Sequence, residues 1–233
     1  MKFQKFFITI LIVVCSAVFS FAQNLKGIIY DELQQPIKML DDAIVTAQKL
    51  KENAAASYDL IQKQDIAKNN LGQDLPYLLN QIPSTVITSD AGTGIGYTGI
   101  RIRGTDASRT NVTINGIPLN DAESQGTFLV NLPDLASSID NIQVQRGVGS
   151  SINGAGAFGA SINIKTEHNI DSAGFELASG IGSFGTKKWM GKFSTGQLKN
   201  NWSFSGRASH IQSDGYIQNS AATLNSYFFN ANY

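Results

Sequence analysis

Between residues 57 and 166 apolar and polar side chains alternate in short runs broken by Gly, Pro and Asn, the pattern of strands with one buried face. Ile100 and Ile102 alternate with Arg101 and Arg103, and Val112 and Ile114 with Asn111, Thr113 and Asn115. Ile142 and Val144 alternate with Gln143 and Gln145, and Ile162 and Ile164 with Ser161, Asn163 and Lys165. Asn115-Gly116 predicts a type I′ hairpin turn, because both residues tolerate positive φ. One helical patch interrupts the strands: residues 73–81 bring Leu75, Leu78 and Leu79 into line with Ile82 at spacings of three and four. The expected unit, residues 57–170, is a small α+β domain with a mixed sheet and short helices.

After Asp171 the alternation changes sense, with aromatic and aliphatic residues on one parity and small or polar residues on the other. Phe175, Leu177 and Ile181 alternate with Glu176, Ala178 and Gly180; Trp189 and Phe193 with Met190, Lys192 and Ser194. Trp202, Phe204 and Ala208 alternate with Ser203, Ser205, Arg207 and Ser209, and Tyr227, Phe229, Ala231 and Tyr233 with Asn230 and Asn232. Segments of about ten residues with this alternation are the signature of antiparallel transmembrane β-strands, apolar outside and polar inside. A soluble β-sandwich shares the alternation. Aromatic residues near strand ends, and a short turn at 199–201 followed by a longer polar loop at 212–224, favour the membrane. About four strands follow residue 171, whereas the smallest outer-membrane barrels need about eight, so residues 171–233 are expected to be the first strands of a truncated barrel and the chain a fragment.

The first 22 residues read as a cleaved secretory signal: Lys2 and Lys5, then an apolar run from Phe6 to Val18, then the small residues Ser20 and Ala22 around Phe21. The run is shorter than the ~20 apolar residues of a spanning helix. Cleavage leaves Gln23 as the new N-terminus. Cys15, the chain's one cysteine, leaves with the signal, and it follows Val14 rather than the small residue that precedes a lipidated cysteine. The mature chain therefore has no thiol nucleophile, disulfide or thiolate metal site. Residues 23–56 are a polar, irregular linker.

Charge adds little, since 18 basic residues balance 18 acidic ones and no net field recruits nucleic acid. A charged fraction of 15% with 22 glycines suits strands and turns better than a helical bundle. His168 and His210 lack the spacing of a metal pair, and neither G-x-S-x-G nor G-x-x-x-x-G-K-[ST] occurs, so no catalytic group, cofactor or metal is expected. Gly92-Thr93-Gly94-Ile95-Gly96 lacks the G-x-G-x-x-G spacing of a dinucleotide loop.

Several strings occur together and in order: Asp74-Leu75-Pro76-Tyr77-Leu78-Leu79, Ile100-Arg101-Ile102-Arg103-Gly104, Asn115-Gly116-Ile117-Pro118-Leu119 and Ile142-Gln143-Val144-Gln145-Arg146-Gly147. A Gly/Ala-rich run at 154–160 then leads into Ser161-Ile162-Asn163-Ile164-Lys165-Thr166. The series resembles the plug domain of TonB-dependent outer-membrane receptors, and the resemblance spans residues 73–166. Upstream, Asp42, Ala43, Ile44, Val45, Thr46 and Ala47, within about 41–47, resemble the TonB box, and its β-branched residues suit strand addition to a partner's sheet edge. Residues 26–37 resemble the opening strand of the regulatory-like domain of Bacteroidetes-type receptors, without the rest of that domain.

The resemblance implies a plug closing a barrel of about 22 strands in the outer membrane, with plug and tail facing the periplasm. It implies a TonB-type inner-membrane energy protein as partner, outer-membrane lipid around the barrel, and energised uptake of a scarce ligand, such as a siderophore, haem, cobalamin or a glycan. Arg103 and Arg146 match plug arginines that pair with barrel carboxylates, and their partners are expected in barrel strands that this sequence does not contain. Ligand contacts are expected from plug loops carrying Tyr97, Arg109, Asp121, Glu123, Gln125 and Phe128. The alternative is a soluble periplasmic binding or signalling plug that does not transport.

Overall fold

The computed structural model describes residues 58–148, 156–167, 172–199 and 201–233. The predicted signal, the linker and residues 42–47 lie outside the described residues, as do His168 and the first two residues of the Gly/Ala-rich run, Gly154 and Ala155. Eleven strands are described: β1 Tyr58–Gln62, β2 Thr85–Ser89, β3 Thr98–Ile102, β4 Thr110–Ile114, β5 Ile117–Pro118, β6 Ile139–Arg146, β7 Ala160–Thr166, β8 Ala173–Ile181, β9 Lys187–Gln197, β10 Ser203–Ser213 and β11 Ala222–Asn232. Two short helices, α1 Lys63–Asn69 and α2 Leu75–Leu78, join them.

The α+β expectation holds. A five-stranded sheet runs in the order β1-β6-β7-β4-β5, with β4 and β7 parallel and the other pairs antiparallel. β2 and β3 form a separate hairpin. Asn115 and Gly116 take φ of 49° and 84°, the positive values that the β4–β5 turn demands. Ile66, Leu75, Leu79, Ile100, Ile102, Val112, Ile142, Val144, Ile162 and Ile164 pack into one core between sheet and helices. Burying each of the larger ones contributes about 1.5–3 kcal/mol.

Three local expectations fail. The helix at 73–81 shrinks to four residues, Leu75–Leu78. The spacing survives as single turns, with the Ile82 N–H donating to Leu79 O at 3.1 Å, so Leu79 and Ile82 still reach the core. A second helix, α1, was not anticipated: its one buried residue, Ile66, makes no stripe for periodicity to detect. β6, expected to be half-buried, is covered on both faces, with Gln143 and Gln145 as enclosed as Ile142.

Strands β8 to β11 form an antiparallel meander in chain order, as expected. Its faces are inverted relative to a soluble sheet. Phe175, Leu177, Ile181, Trp189, Phe193, Tyr227 and Phe229 are exposed on one side. Lys188, Arg207, Ser205 and Ser209 are buried on the other. At the short-turn end Trp202 lies 5.7 Å from Phe204 and 5.2 Å from Tyr233 between ring centres, and Phe204 lies 6.3 Å from Phe229. This cluster is the aromatic girdle expected at a lipid–water boundary.

Candidate functional site

Residues expected to meet a ligand fall in two groups of loops. At the end of the sheet where β4 and β7 begin, Gly147 N–H donates to Gly159 O at 2.7 Å and Gly159 N–H to Arg109 O at 2.8 Å. Asn120 closes the loop after β5 onto that end: its side-chain amide donates to Thr110 O and to Gln125 O, and its Oδ1 accepts from Val112 N–H. This loop carries Asp121, Glu123 and Gln125, all exposed, and Phe128 follows it, also exposed. Gln125 is held at φ 59°, and Asp121 Oδ1 accepts from Glu123 N–H, Ser124 N–H and Ser124 Oγ. These hydrogen bonds hold the Asp121 carboxyl below its ordinary range, so one of its oxygens shapes the loop rather than reaching outward.

Tyr97 stands in the second group, exposed in the β2–β3 loop. That loop meets the loop between β10 and β11, where Tyr216 N–H donates to Ala91 O at 2.8 Å and the Tyr216 ring meets Phe184 edge-on. The β2–β3 loop is stapled from below by Gln73, whose side chain donates to Thr93 O, and by Asp74, whose N–H donates to Gly94 O and whose Oδ2 accepts from Thr98 Oγ1. Burial pushes the Asp74 carboxyl up to about 6, the Thr98 hydrogen bond opposing.

A testable consequence follows from that raised value. The folded state binds a proton more tightly than the unfolded one, so the penalty of an ionised Asp74 is absent below about 3.8, grows as pH rises, and is complete above about 6. Asp74→Asn, which retains an acceptor for Thr98, is expected to stabilise residues 57–170 by about 1–3 kcal/mol at pH 7.5 and to leave stability unchanged near pH 4. Urea unfolding at the two pH values checks it. An equal effect at both would place the cause outside the ionisation.

Arg103 and Arg146 do not meet carboxylates of the described barrel strands. Arg146 Nε lies 3.1 Å from Asp59 Oδ2 on β1, an ion pair inside the plug. Arg103 and Gly104 take φ of 55° and 71° in a tight turn, and the Arg103 guanidinium lies over Gly147. A Cβ on Gly147 would sit 2.5 Å from Arg103 Nη1, the movable end of a long side chain, so it is the φ of +91° that calls for glycine there.

Among the described residues, plug and barrel strands are joined by charges of the reverse polarity. Asp134, at φ 52°, presents a fully enclosed carboxylate to two barrel cations. Oδ1 lies 2.6 Å from Lys188 Nζ on β9, and Oδ2 lies 2.9 Å from Arg207 Nη1 on β10. Ser137 Oγ donates to Oδ1, Arg207 Nε donates to Ser138 Oγ, and Lys188 Nζ also donates to Asn70 Oδ1. Burial opposes the ionisation of Asp134, but Lys188, Ser137 and Arg207 outweigh it and hold the carboxyl below its ordinary range. Nearer the short-turn end, Glu167 pairs with Lys192 of β9 and, at 2.8 Å, with Lys63 of α1. Asn230 of β11 donates to Glu167 O at 3.3 Å. The sequence offered half the signal: Lys192 and Arg207 stand on the polar parity of their strands, but nothing in Leu132-Pro133-Asp134-Leu135 marks the partner.

A family model described as TonB-dependent Receptor Plug Domain matches residues 50–161. The vitamin B12 transporter BtuB of Vibrio vulnificus (strain YJ016) is 30% identical over 193 residues, which is 81% of this chain and 30% of that protein. Vitamin B12 transporters of Vibrio cholerae are 28% identical over 146 residues, 61% of this chain and 23% of those proteins. The chain thus spans less than a third of the length of the curated relatives it matches. Among solved structures, Pseudomonas aeruginosa FpvA bound to a heterologous pyoverdine aligns with a TM-score of 0.61 at 15% identity, over 77% of this chain and 23% of that one. The unliganded ferric citrate transporter FecA aligns with a TM-score of 0.61 at 23% identity, over 76% and 28%.

Proposed function

Because this chain belongs to the TonB-dependent receptors, we propose that it is the plug and first barrel strands of an outer-membrane transporter that takes up a scarce, bulky nutrient. The ligand class is ferric siderophore or cobalamin, in keeping with relatives named for vitamin B12, pyoverdine and ferric citrate. The observation that carries the reading is the inverted meander: exposed aromatic residues on one face, and on the other buried Lys188 and Arg207 closing on a plug carboxylate. A soluble sandwich would cover that aromatic face with a second sheet, and none lies over it among the described residues. The same inversion disfavours a free periplasmic plug module.

In this reading the long-loop end faces the medium. Glu167, at the C-terminal end of β7, is tied towards the short-turn end, so the opposite end, with Arg109 and the loop of Asp121, Glu123 and Gln125, is directed outward. Tyr97 joins it through the β10–β11 loop. The predicted signal, residues 1–22, exports the chain, and residues 42–47 lie on the periplasmic side for a TonB-type energy protein. No step requires an enzyme's nucleophile or base.

The test is a knockout of the gene in its own host, complemented with the complete receptor. Uptake of radiolabelled cobalamin or of ⁵⁵Fe-loaded siderophores should return only with the receptor and only while the proton gradient is intact. Restoration by a periplasmic protein lacking the barrel would overturn the transporter reading.

A further inference from the structure

The exposed face of the meander is not uniform. Gly191 of β9 and Ala208 of β10 are adjacent in register and lack bulk, while Leu177, Trp189 and Tyr227 stand around them. The result is a hollow of about 460 Å³ in the outer wall. All four strands contribute to its lining, so it is complete without any further strand. Its character changes along its length. Towards the short turn it is lined by Leu177, Gly191, Ala208 and Tyr227, and towards the long loops by Ser179, Trp189, His210 and Asn225. His210 stacks on Trp189 at 5.9 Å between ring centres, and its Nδ1 lies 2.8 Å from Asn225 Oδ1.

We propose that this hollow is a lipid-binding site that holds the upper part of one acyl chain of an outer-leaflet lipid, with the headgroup at His210 and Asn225. The proposal rests on the membrane-spanning reading above and adds to it a fixed lipid, not bulk solvation. An apolar recess matches hydrocarbon, and it continues a face on which Phe175, Leu177, Phe193, Tyr227 and Phe229 are exposed. The polar pair sits where a lipid changes from chain to headgroup: three residues separate His210 from the end of β10, at the loop side. Trp and His at that level are the amphipathic side chains that settle at a lipid–water boundary. A second copy of the chain would instead need a protruding side chain to enter the hollow, and the surrounding face offers flat aromatic rings rather than a complementary ridge.

The test is photo-crosslinking in intact outer membranes with the complete receptor, carrying benzoylphenylalanine at Ser179, on the hollow's rim, or at Phe175, on the same strand and face but outside it. Mass spectrometry then identifies the adduct. The expected result is a lipid adduct at position 179, enriched in one lipid class at least about threefold over position 175. Gly191→Leu fills the recess, and the nearest side-chain atom to a Cβ there is Leu177 Cδ2 at 3.6 Å, so the barrel accommodates it. That variant should abolish the enrichment at 179, leave adducts at 175 unchanged, and keep the heat-modifiable band of a folded barrel. Equal lipid profiles at both positions would overturn the site while leaving the membrane reading intact. A crosslink to a second receptor copy or to another protein at 179 would replace lipid by that partner and overturn it. Absence of lipid adducts at both positions would overturn the membrane reading itself.

Discussion

Replacing Asp134 by alanine in the complete receptor is expected to unseat the plug while the barrel remains folded. The carboxylate is fully enclosed, and its removal leaves Lys188 and Arg207 buried without the counter-charge that both contact. Removing one member of such a buried set typically costs about 3–5 kcal/mol, more than the set contributes over an apolar replacement. The asymmetry supplies a control. Asp134→Leu combined with Lys188→Met and Arg207→Leu removes all three charges and should recover most of the lost stability, whereas Asp134→Ala alone should not. The readouts are protease cleavage of the plug in outer-membrane vesicles and entry of antibiotics too large for porins, both raised by Asp134→Ala and both near wild type in the triple variant. Wild-type values for Asp134→Ala would show that the plug is held elsewhere. Acid should mimic the loss only weakly. Because the folded carboxyl titrates below 3.8, its contribution is complete at neutral pH and fades only as pH falls through that depressed value.

This seat also marks the limit of what the sequence reveals. The alternation that separates Ile142 and Val144 from their neighbours, and Trp189 and Phe193 from theirs, depends on side-chain parity alone and is visible in one dimension. So are Asn115-Gly116 and the order of the plug motifs. The partner of Arg207 is 73 residues away, set by how the 3₁₀ turn Leu135–Ser138, just before β6, meets the meander, and no local pattern encodes such a contact. The plug arginines illustrate the same gap: Arg146 finds Asp59 because β1 pairs with β6, a register that only the folded sheet defines. Helix α1 escaped for a different reason, since a seven-residue helix with one buried side chain has no periodicity. The loops proposed to face a ligand were legible as loops. The internal hydrogen bonds that commit one oxygen of Asp121 to loop closure were not, and they shift expectation for direct contact towards Tyr97, Arg109, Glu123 and Phe128.

Removing residues 44–46 is the second change expected to act strongly, on transport and not on binding. Ile44, Val45 and Thr46 are β-branched residues in a polar tail before the plug, suited to extended backbone that adds to the edge of a partner's sheet. Pairing of that kind is made by main-chain groups, so Val45→Pro, which removes one N–H and fixes φ, should act like the deletion, while Val45→Ile should be silent. Ligand affinity, which the proposed contact loops would set, should stay within about twofold, a difference below ~0.5 kcal/mol. Energised uptake should fall to the level seen with the proton gradient collapsed. Equilibrium binding to whole cells and initial uptake rates, measured on the same cultures, separate the two quantities. The comparison of Val45→Pro with Val45→Ile decides between strand pairing and a mere spacer, since a spacer tolerates both. Unimpaired uptake by the deletion would show that residues 42–47 are not where energy enters the receptor.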